Sequence, residues 1–142
     1  MISKQMKNGN RDEELVLRTF QKHGFWAHNF AKSHNGSQPV DVVAIRENTC
    51  WLVDVKNVRE QEISFPFSRI EPNQLTCFDY ARTFANIKNL GVVICFEKLD
   101  LRPLLLTYDK LLEMESKGLK SVKMSDLEAL EEYLWEFGFR EI

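Results

Sequence analysis

The chain has 142 residues, of which 44% are hydrophobic, and its formal net charge is −2. This length suits a single domain, and the 10 Phe and 3 Trp can build a hydrophobic core, which excludes a wholly disordered chain. No uncharged apolar run approaches the roughly 20 residues that cross a bilayer, and the polar N-terminal segment lacks the apolar stretch of a secretion signal. We therefore expect a cytoplasmic protein without a membrane partner.

The distribution of charge and cysteine narrows the function classes further. Residues 1–98 carry 13 Lys and Arg and 11 Asp and Glu, a net +2, whereas residues 99–142 carry 6 and 10, a net −4. If several acids of the first part bind a metal ion, the remaining surface there is basic, so the charge permits nucleic-acid binding without requiring it. The three cysteines lie far apart in apolar segments, which predicts free thiols and excludes a patterned zinc site.

Hydrophobic periodicity and turn signals predict the order of the elements. Residues 1–11 are polar and predict a flexible basic arm, and residues 12–142 predict one domain. Its elements are, in chain order, a helix over 12–23, a strand over 25–30, a hairpin with strands over 40–45 and 50–55, an irregular segment over 58–70, a helix from Pro72 to about residue 88, strands over 91–96 and 104–108, and helices over 109–117 and 125–137. The order αβββαβ plus C-terminal helices predicts an α/β fold with a mixed sheet flanked by helices.

Two acids and a lysine fall on the predicted hairpin. A turn over residues 46–49 pairs residue i with residue 95 − i, so that Asp41 lies opposite Asp54. Because side chains alternate along a strand, Asp54 and Lys56 share one face of the sheet. The pattern on its own also fits a surface hairpin that carries a solvated Asp–Lys pair.

Opposed carboxylates predict a cation between them, since like charges directly across an antiparallel pair repel each other. Oxygen ligands of this kind suit Mg²⁺, with Mn²⁺ as the alternative ion. A lysine beside such a metal can orient or deprotonate an attacking water and stabilise phosphate charge. This combination indicates phosphodiester hydrolysis.

Several segments of the sequence resemble one nuclease superfamily. Residues 39–41 (PVD) and 53–56 (VDVK) resemble the PD-(D/E)xK signature, and residues 9–13 (GNRDE) resemble the G-x-x-x-E start of its Holliday junction resolvases. Residues 64–75 (SFPFSRIEPNQL) resemble the S-F-P-[LF]-x-x-I-x-P-x-Q segment of RecU-type resolvases, and residues 118–122 (GLKSV) a later G-x-K-S-[IV] segment. The resemblance spans residues 9–127. It implies a PD-(D/E)xK restriction-endonuclease-like core and a metal-dependent endonuclease that makes paired symmetric cuts in four-way DNA junctions during recombination and repair.

The resemblance also implies the roles of individual residues. Asp41 and Asp54 match the two metal-binding acids, with Asp54 standing where the family usually has Glu, and the backbone carbonyl of Val55 matches a further metal ligand. For the acid of the N-terminal helix, Glu13 is the match and the adjacent Glu14 an alternative, because one position turns a helical side chain by about 100°. The implied catalytic residues are Glu13, Asp41, Asp54, Lys56 and Gln74.

The chain departs from RecU-type resolvases in having only residues 31–38 where those proteins carry a long stalk, which indicates a compact form. Resolvases of this kind are dimers, so we expect a homodimer. Its interface is expected in residues 58–70, unless Phe65 and Phe67 anchor that segment in the core. The apolar stripe of residues 127–137 predicts packing on the domain, with a dimer contact as the alternative. Basic residues that are candidates for phosphate contacts are Lys32, Arg46, Arg59, Arg69 and Arg82.

Two other functions stay open at the level of sequence. The short segment before residue 39 is compatible with a nuclease of the same fold that acts on flaps or linear duplex DNA. A non-catalytic DNA-binding module of this fold is the third possibility. Against that module stands the set of acids and lysine, because a domain without catalysis has little reason to keep carboxylates that repel each other.

Overall fold

The structure is a computed structural model, and it describes residues 4–30, 40–59 and 61–142, with side chains from residue 11 onward. The segment expected to replace the stalk, together with Lys32, lies outside the described residues. The helices and strands are α1 (Lys4–Lys22), β1 (Trp26–Asn29), β2 (Val42–Arg46), β3 (Thr49–Val58), β4 (Ser64–Pro66), α2 (Pro72–Phe84), β5 (Asn89–Phe96), β6 (Pro103–Thr107), α3 (Tyr108–Ser116), β7 (Ser121–Lys123), β8 (Glu128–Ala129) and α4 (Leu130–Glu136).

Six strands form one mixed sheet in the order β1-β2-β3-β5-β6-β8. The central pair, β3 and β5, is parallel, and the other neighbouring strands are antiparallel. A separate two-stranded ribbon joins β4 to β7. The predicted α/β fold with a mixed sheet flanked by helices is confirmed.

The register of the β2–β3 hairpin follows the predicted rule. Val42 pairs with Val53, and Arg46 pairs with Thr49 beside the turn. The rule holds because a turn of fixed length leaves one pairing that buries the same side of both strands. The hairpin therefore brings residue 54 next to the start of β2, where Asp41 lies.

Two hydrophobic clusters cover the two faces of the sheet. Helices α1 and α4 pack on one face through side chains with no exposed surface, namely Val16, Phe20, Leu130 and Leu134. Helices α2 and α3 and the β4–β7 ribbon contribute to the cluster on the other face through Phe65, Phe78, Leu111 and Val122. Phe65 and Phe67 are both buried there, so the structure supports the core-anchor interpretation of residues 58–70.

Three predicted helix boundaries are wrong by four residues or more. Helix α1 begins at Lys4, so residues 4–11 of the predicted arm are helical, since they contain no proline and continue the helix that is anchored further on. Helix α2 ends at Phe84, four residues early, and Asn86 follows in the left-handed region with φ 55°. The predicted helix over 125–137 begins only at Leu130, because Glu128 and Ala129 pair with the edge strand β6 instead.

The other expectations for the C-terminal segment and for the membrane have clear outcomes. Leu130 and Leu134 pack on the domain as predicted, whereas Phe137 is exposed. Among the described residues, no helix is long and apolar enough to span a bilayer. The cytoplasmic location stays a prediction.

Candidate functional site

Asp41 lies immediately before β2 and completes the hydrogen bonding of β3. Its backbone N–H donates to the carbonyl of Val53 at 3.0 Å, and its Oδ2 accepts a hydrogen bond from the N–H of Val55 at 2.7 Å. The carboxylate thus takes the place of a strand partner where β2 has not yet begun. The hairpin register therefore fixes the backbone of Asp41, and the hydrogen bond from Val55 fixes the direction of its carboxylate.

Asp54 is fully buried beside Asp41. Burial, and next the Asp41 carboxyl in hydrogen-bond contact with it, raise the pKa of Asp54 to about 8, against the opposing effect of the Lys56 ammonium. Two neighbouring carboxyl groups in a buried site cannot both ionise without a compensating positive charge. The site therefore favours either a shared proton or a bound cation.

Two further predicted residues contact Asp54. The ammonium Nζ of Lys56 lies 3.2 Å from Asp54 Oδ2. The side-chain amide of Gln74 donates from Nε2 to Asp54 Oδ1 at 2.7 Å, and its own Oε1 accepts from the backbone N–H of Glu71 at 3.0 Å. Because Gln74 belongs to the capping box that starts α2, the helix start fixes its orientation.

The donor set fits a hard divalent cation. Mg²⁺ commonly uses one or two protein carboxylates and keeps several waters, and Asp41 and Asp54 supply two carboxylates in direct contact. Among the described side chains, no three His, Cys, Asp or Glu residues come close enough together to bind one ion. Glu13 therefore does not join the two aspartates as a third carboxylate ligand in this structure.

The two candidate acids of α1 differ in their surroundings. Glu14 is exposed and forms an ion pair with Arg18, four residues further along the same helix, at 2.9 Å. Glu13 is half-buried. The structure thus favours Glu13 over Glu14 as the residue directed away from solvent, in agreement with the motif.

Sequence reasoning missed a third buried carboxylate, Asp12. It is 1% exposed, and its Oδ2 accepts a hydrogen bond from the Asn57 side-chain amide at 2.8 Å. Burial raises the pKa of Asp12 to about 6, and the hydrogen bond from Asn57 opposes this shift. Helical periodicity could have found it, because Asp12, Val16 and Phe20 recur every four residues on the buried side of α1.

The four candidate phosphate contacts that the structure describes lie in different places. Arg59 and Arg69 are exposed near the end of β3, and the Arg69 guanidinium donates to the carbonyl of Asn57 at 2.6 Å. Arg46 lies at the turn end of the hairpin, where it donates to the carbonyl of His23 at 2.7 Å. Arg82 is in the last turn of α2 and pairs with Asp109 at 2.8 Å. Phosphate binding stays a prediction, and the geometry favours Arg59 and Arg69.

Comparison with known proteins supports the fold. Solved structures that match include Hjc of Archaeoglobus fulgidus, a Holliday junction resolvase from an archaeal hyperthermophile. The match has a TM-score of 0.62 and 19% sequence identity, and it covers 89% of this chain and 98% of that chain. No protein-family model matches the chain, and no curated protein matches it either. The chain thus shares the fold of that archaeal protein, and the RecU-type affiliation stays a prediction.

Proposed function

We propose that this chain is a Mg²⁺-dependent, structure-specific DNA endonuclease that cuts four-way junctions. The observation that carries the proposal is the buried contact between Asp41 and Asp54 with Lys56 beside it. A fold like that of an archaeal resolvase, at nearly full coverage, supports junction DNA as the substrate. Recombination and repair are the processes in which such cuts are needed.

The residues of the site divide the chemical work. Asp41, Asp54 and the backbone carbonyl of Val55 would hold the ion, which when bound lowers the pKa of a water and neutralises phosphate charge. Gln74 fixes Asp54 Oδ1 and leaves Oδ2 for the cation and Lys56. Lys56 would orient the attacking water and stabilise the phosphate as an ammonium, or take a proton from that water as the neutral amine. Glu13 assists through water.

A gel assay on synthetic DNA tests the proposal directly. We expect the purified chain to cut a four-way junction at paired symmetric positions only with Mg²⁺ or Mn²⁺, and to cut a linear duplex of the same sequence at least about tenfold more slowly. Equal rates on flaps or duplex would instead support the broader nuclease. DNA binding without cleavage in either metal would support the non-catalytic module.

A homodimer would supply the two sites that paired cuts need. Helix α2 exposes Tyr80 by 64% and Phe84 by 73%, with their rings 4.8 Å apart. Arg82, about 200° round the helix from Tyr80, contacts Asp109 beside β6. Tyr80 and Phe84 therefore lie on the side of α2 away from Arg82.

The sheet exposes two further apolar side chains. Trp26 on β1 is 61% exposed and pairs directly with the exposed Ile45 on β2. By alternation these two side chains lie on the same face as Asp54. We name Trp26, Ile45, Tyr80 and Phe84 the open apolar surface. These four side chains carry no charge, so they can meet their own copies across a two-fold axis without like-charge repulsion, and they lie on the face of the sheet that carries the proposed metal site.

The substitution Phe84→Asp tests this interface. Two buried carboxylates would meet across the two-fold axis, so we expect the dimer to weaken at least about 30-fold, a loss typical of a central interface residue. Sedimentation velocity measures the change, and junctions should be nicked on one strand instead of cut in pairs. Leu119→Asp, on an exposed apolar residue after α3, is the matched control. A Phe84→Asp variant that stays dimeric would place the interface elsewhere.

A further inference from the structure

Asn57 lies on β3 next to Lys56 and connects this strand to α1, which carries Glu13, and to the short turn before α2, which carries Gln74. Its side-chain amide donates to Asp12 on α1, the helix of Glu13. Its backbone carbonyl accepts from Arg69, in the short turn that precedes α2 and Gln74. Asn57 itself follows Lys56 on β3. We propose that Asn57 and Asp12 form a positioning pair that holds Lys56 and Glu13 in their working geometry.

The end of β3 needs such a restraint because it has lost one neighbouring strand. The pairing of β2 with β3 ends at Val53, and the described part of the chain pairs residues 54–58 with β5 alone. On the side of β3 away from β5, the N–H of Val55 donates to the Asp41 carboxylate, and the carbonyl of Asn57 accepts a hydrogen bond from Arg69. Side chains thus replace the missing strand along the segment that carries Lys56.

Neighbouring strand residues point to opposite faces, which couples Asn57 to Lys56. Lys56 shares the face of Asp54, and Asn57 lies on the face that α1 covers. A rotation of this strand end about its own axis would move both side chains together. Fixing Asn57 against Asp12 therefore also fixes the direction of Lys56 on the other side of the sheet.

The chemistry of Asp12 argues for geometry as its role. Its position continues the apolar stripe of Val16 and Phe20, where a hydrophobic side chain would bury well. Its Oδ1 accepts no hydrogen bond from the described residues and has only the Arg11 Nε at 3.9 Å, so the buried carboxylate is incompletely satisfied. Such a group contributes little net stability, whereas a single directional hydrogen bond to Asn57 specifies how α1 sits on β3.

This inference rests on the proposed function, and an exchange of the two side chains tests it. Asn57→Asp places two carboxylates in contact, and we expect the junction-cleavage rate to fall at least about tenfold, because small displacements of reacting groups cost one to two orders of magnitude. The double variant Asp12→Asn with Asn57→Asp restores a donor and an acceptor. It should recover the rate to within about threefold of the original.

Two further readouts separate positioning from stability and from activity. Junction affinity, measured without a divalent ion, should stay within about twofold for every variant, so the loss falls on kcat. Amide hydrogen exchange over residues 55–59 should speed up in Asn57→Asp and return in the double variant, with the hairpin residues 42–53 unchanged. Glu113→Gln, which removes an exposed ion pair of α3, is the control and should alter neither.

The outcomes are distinguishable. If the unsubstituted chain cuts no DNA, the proposed function fails, and the exchange data still decide the positioning of β3. The inference is overturned if Asn57→Asp leaves both exchange and rate unchanged, or if the double variant regains thermal stability without regaining rate. It is also overturned if the rate loss disappears when variants are compared at equal distances below their melting temperatures.

Discussion

Replacing Asp54 by Asn is expected to reduce junction cleavage at least about a thousandfold while junction affinity changes less than about twofold. The substitution removes one of the two carboxylates that would hold the cation, and a metal-dependent hydrolase loses most of its rate enhancement with its ion. DNA affinity depends on basic side chains that the change leaves in place. Single-turnover cleavage and equilibrium binding on the same labelled junction measure the two quantities.

The loss in Asp54→Asn cannot be attributed to unfolding. An asparagine at position 54 keeps an oxygen that accepts the hydrogen bond from Gln74 Nε2. It also removes the contact between the carboxyl groups of residues 41 and 54. The metal-free melting temperature should therefore not fall. Asp109→Asn, the same chemical change at an exposed ion pair, is the matched control and should cleave normally.

Lys56→Ala should give a similar loss of cleavage for a different reason. It leaves both carboxylates and removes the ammonium 3.2 Å from Asp54. The variant should still bind Mn²⁺, whereas Asp54→Asn should bind it much more weakly. Cleavage that survives in both variants would mean that the reaction takes place at another site.

The core of the site was predictable from sequence because it depends on local rules. A four-residue turn sets the register of the hairpin, and strand alternation assigns Asp54 and Lys56 to one face. These two rules bring Asp41, Asp54 and Lys56 together without knowledge of any distant contact. The motif added Gln74, whose contact with Asp54 requires α2 to pack over β3.

Features that depend on distant parts of the chain were not predictable in this way. The predicted helix over 125–137 opens with the sequence SDLE, which is typical of a helix start. The edge of β6 offers Glu128 and Ala129 a strand partner, and this tertiary pairing prevails over local preference. Asp12 carried no functional signal on its own, since its partner Asn57 lies 45 positions away. The open apolar surface became recognisable only once the sheet order was known.

Without a metal ion, the free energy of unfolding is expected to fall as the pH rises from 6 to 8. Asp54 has a pKa of about 8 in the folded chain and 3.8 as its ordinary value, so between these values the folded state holds one proton more than the unfolded state. Its contribution to stability is complete below about pH 4 and is lost as the pH approaches 8. The slope is at most about 1.4 kcal/mol per pH unit.

Urea unfolding in EDTA at pH 6, 7 and 8 measures this slope. Asp54→Asn should flatten this slope, because the titrating carboxyl group is gone. Asp41 then no longer has a second ionisable carboxyl beside it. Saturating Mg²⁺ should raise stability most at pH 8, where the cation competes least with a proton for the two carboxylates. Asp12, with a pKa of about 6, contributes mainly below this range. A metal-free stability that is constant from pH 6 to 8 would show that Asp41 and Asp54 do not share a buried proton.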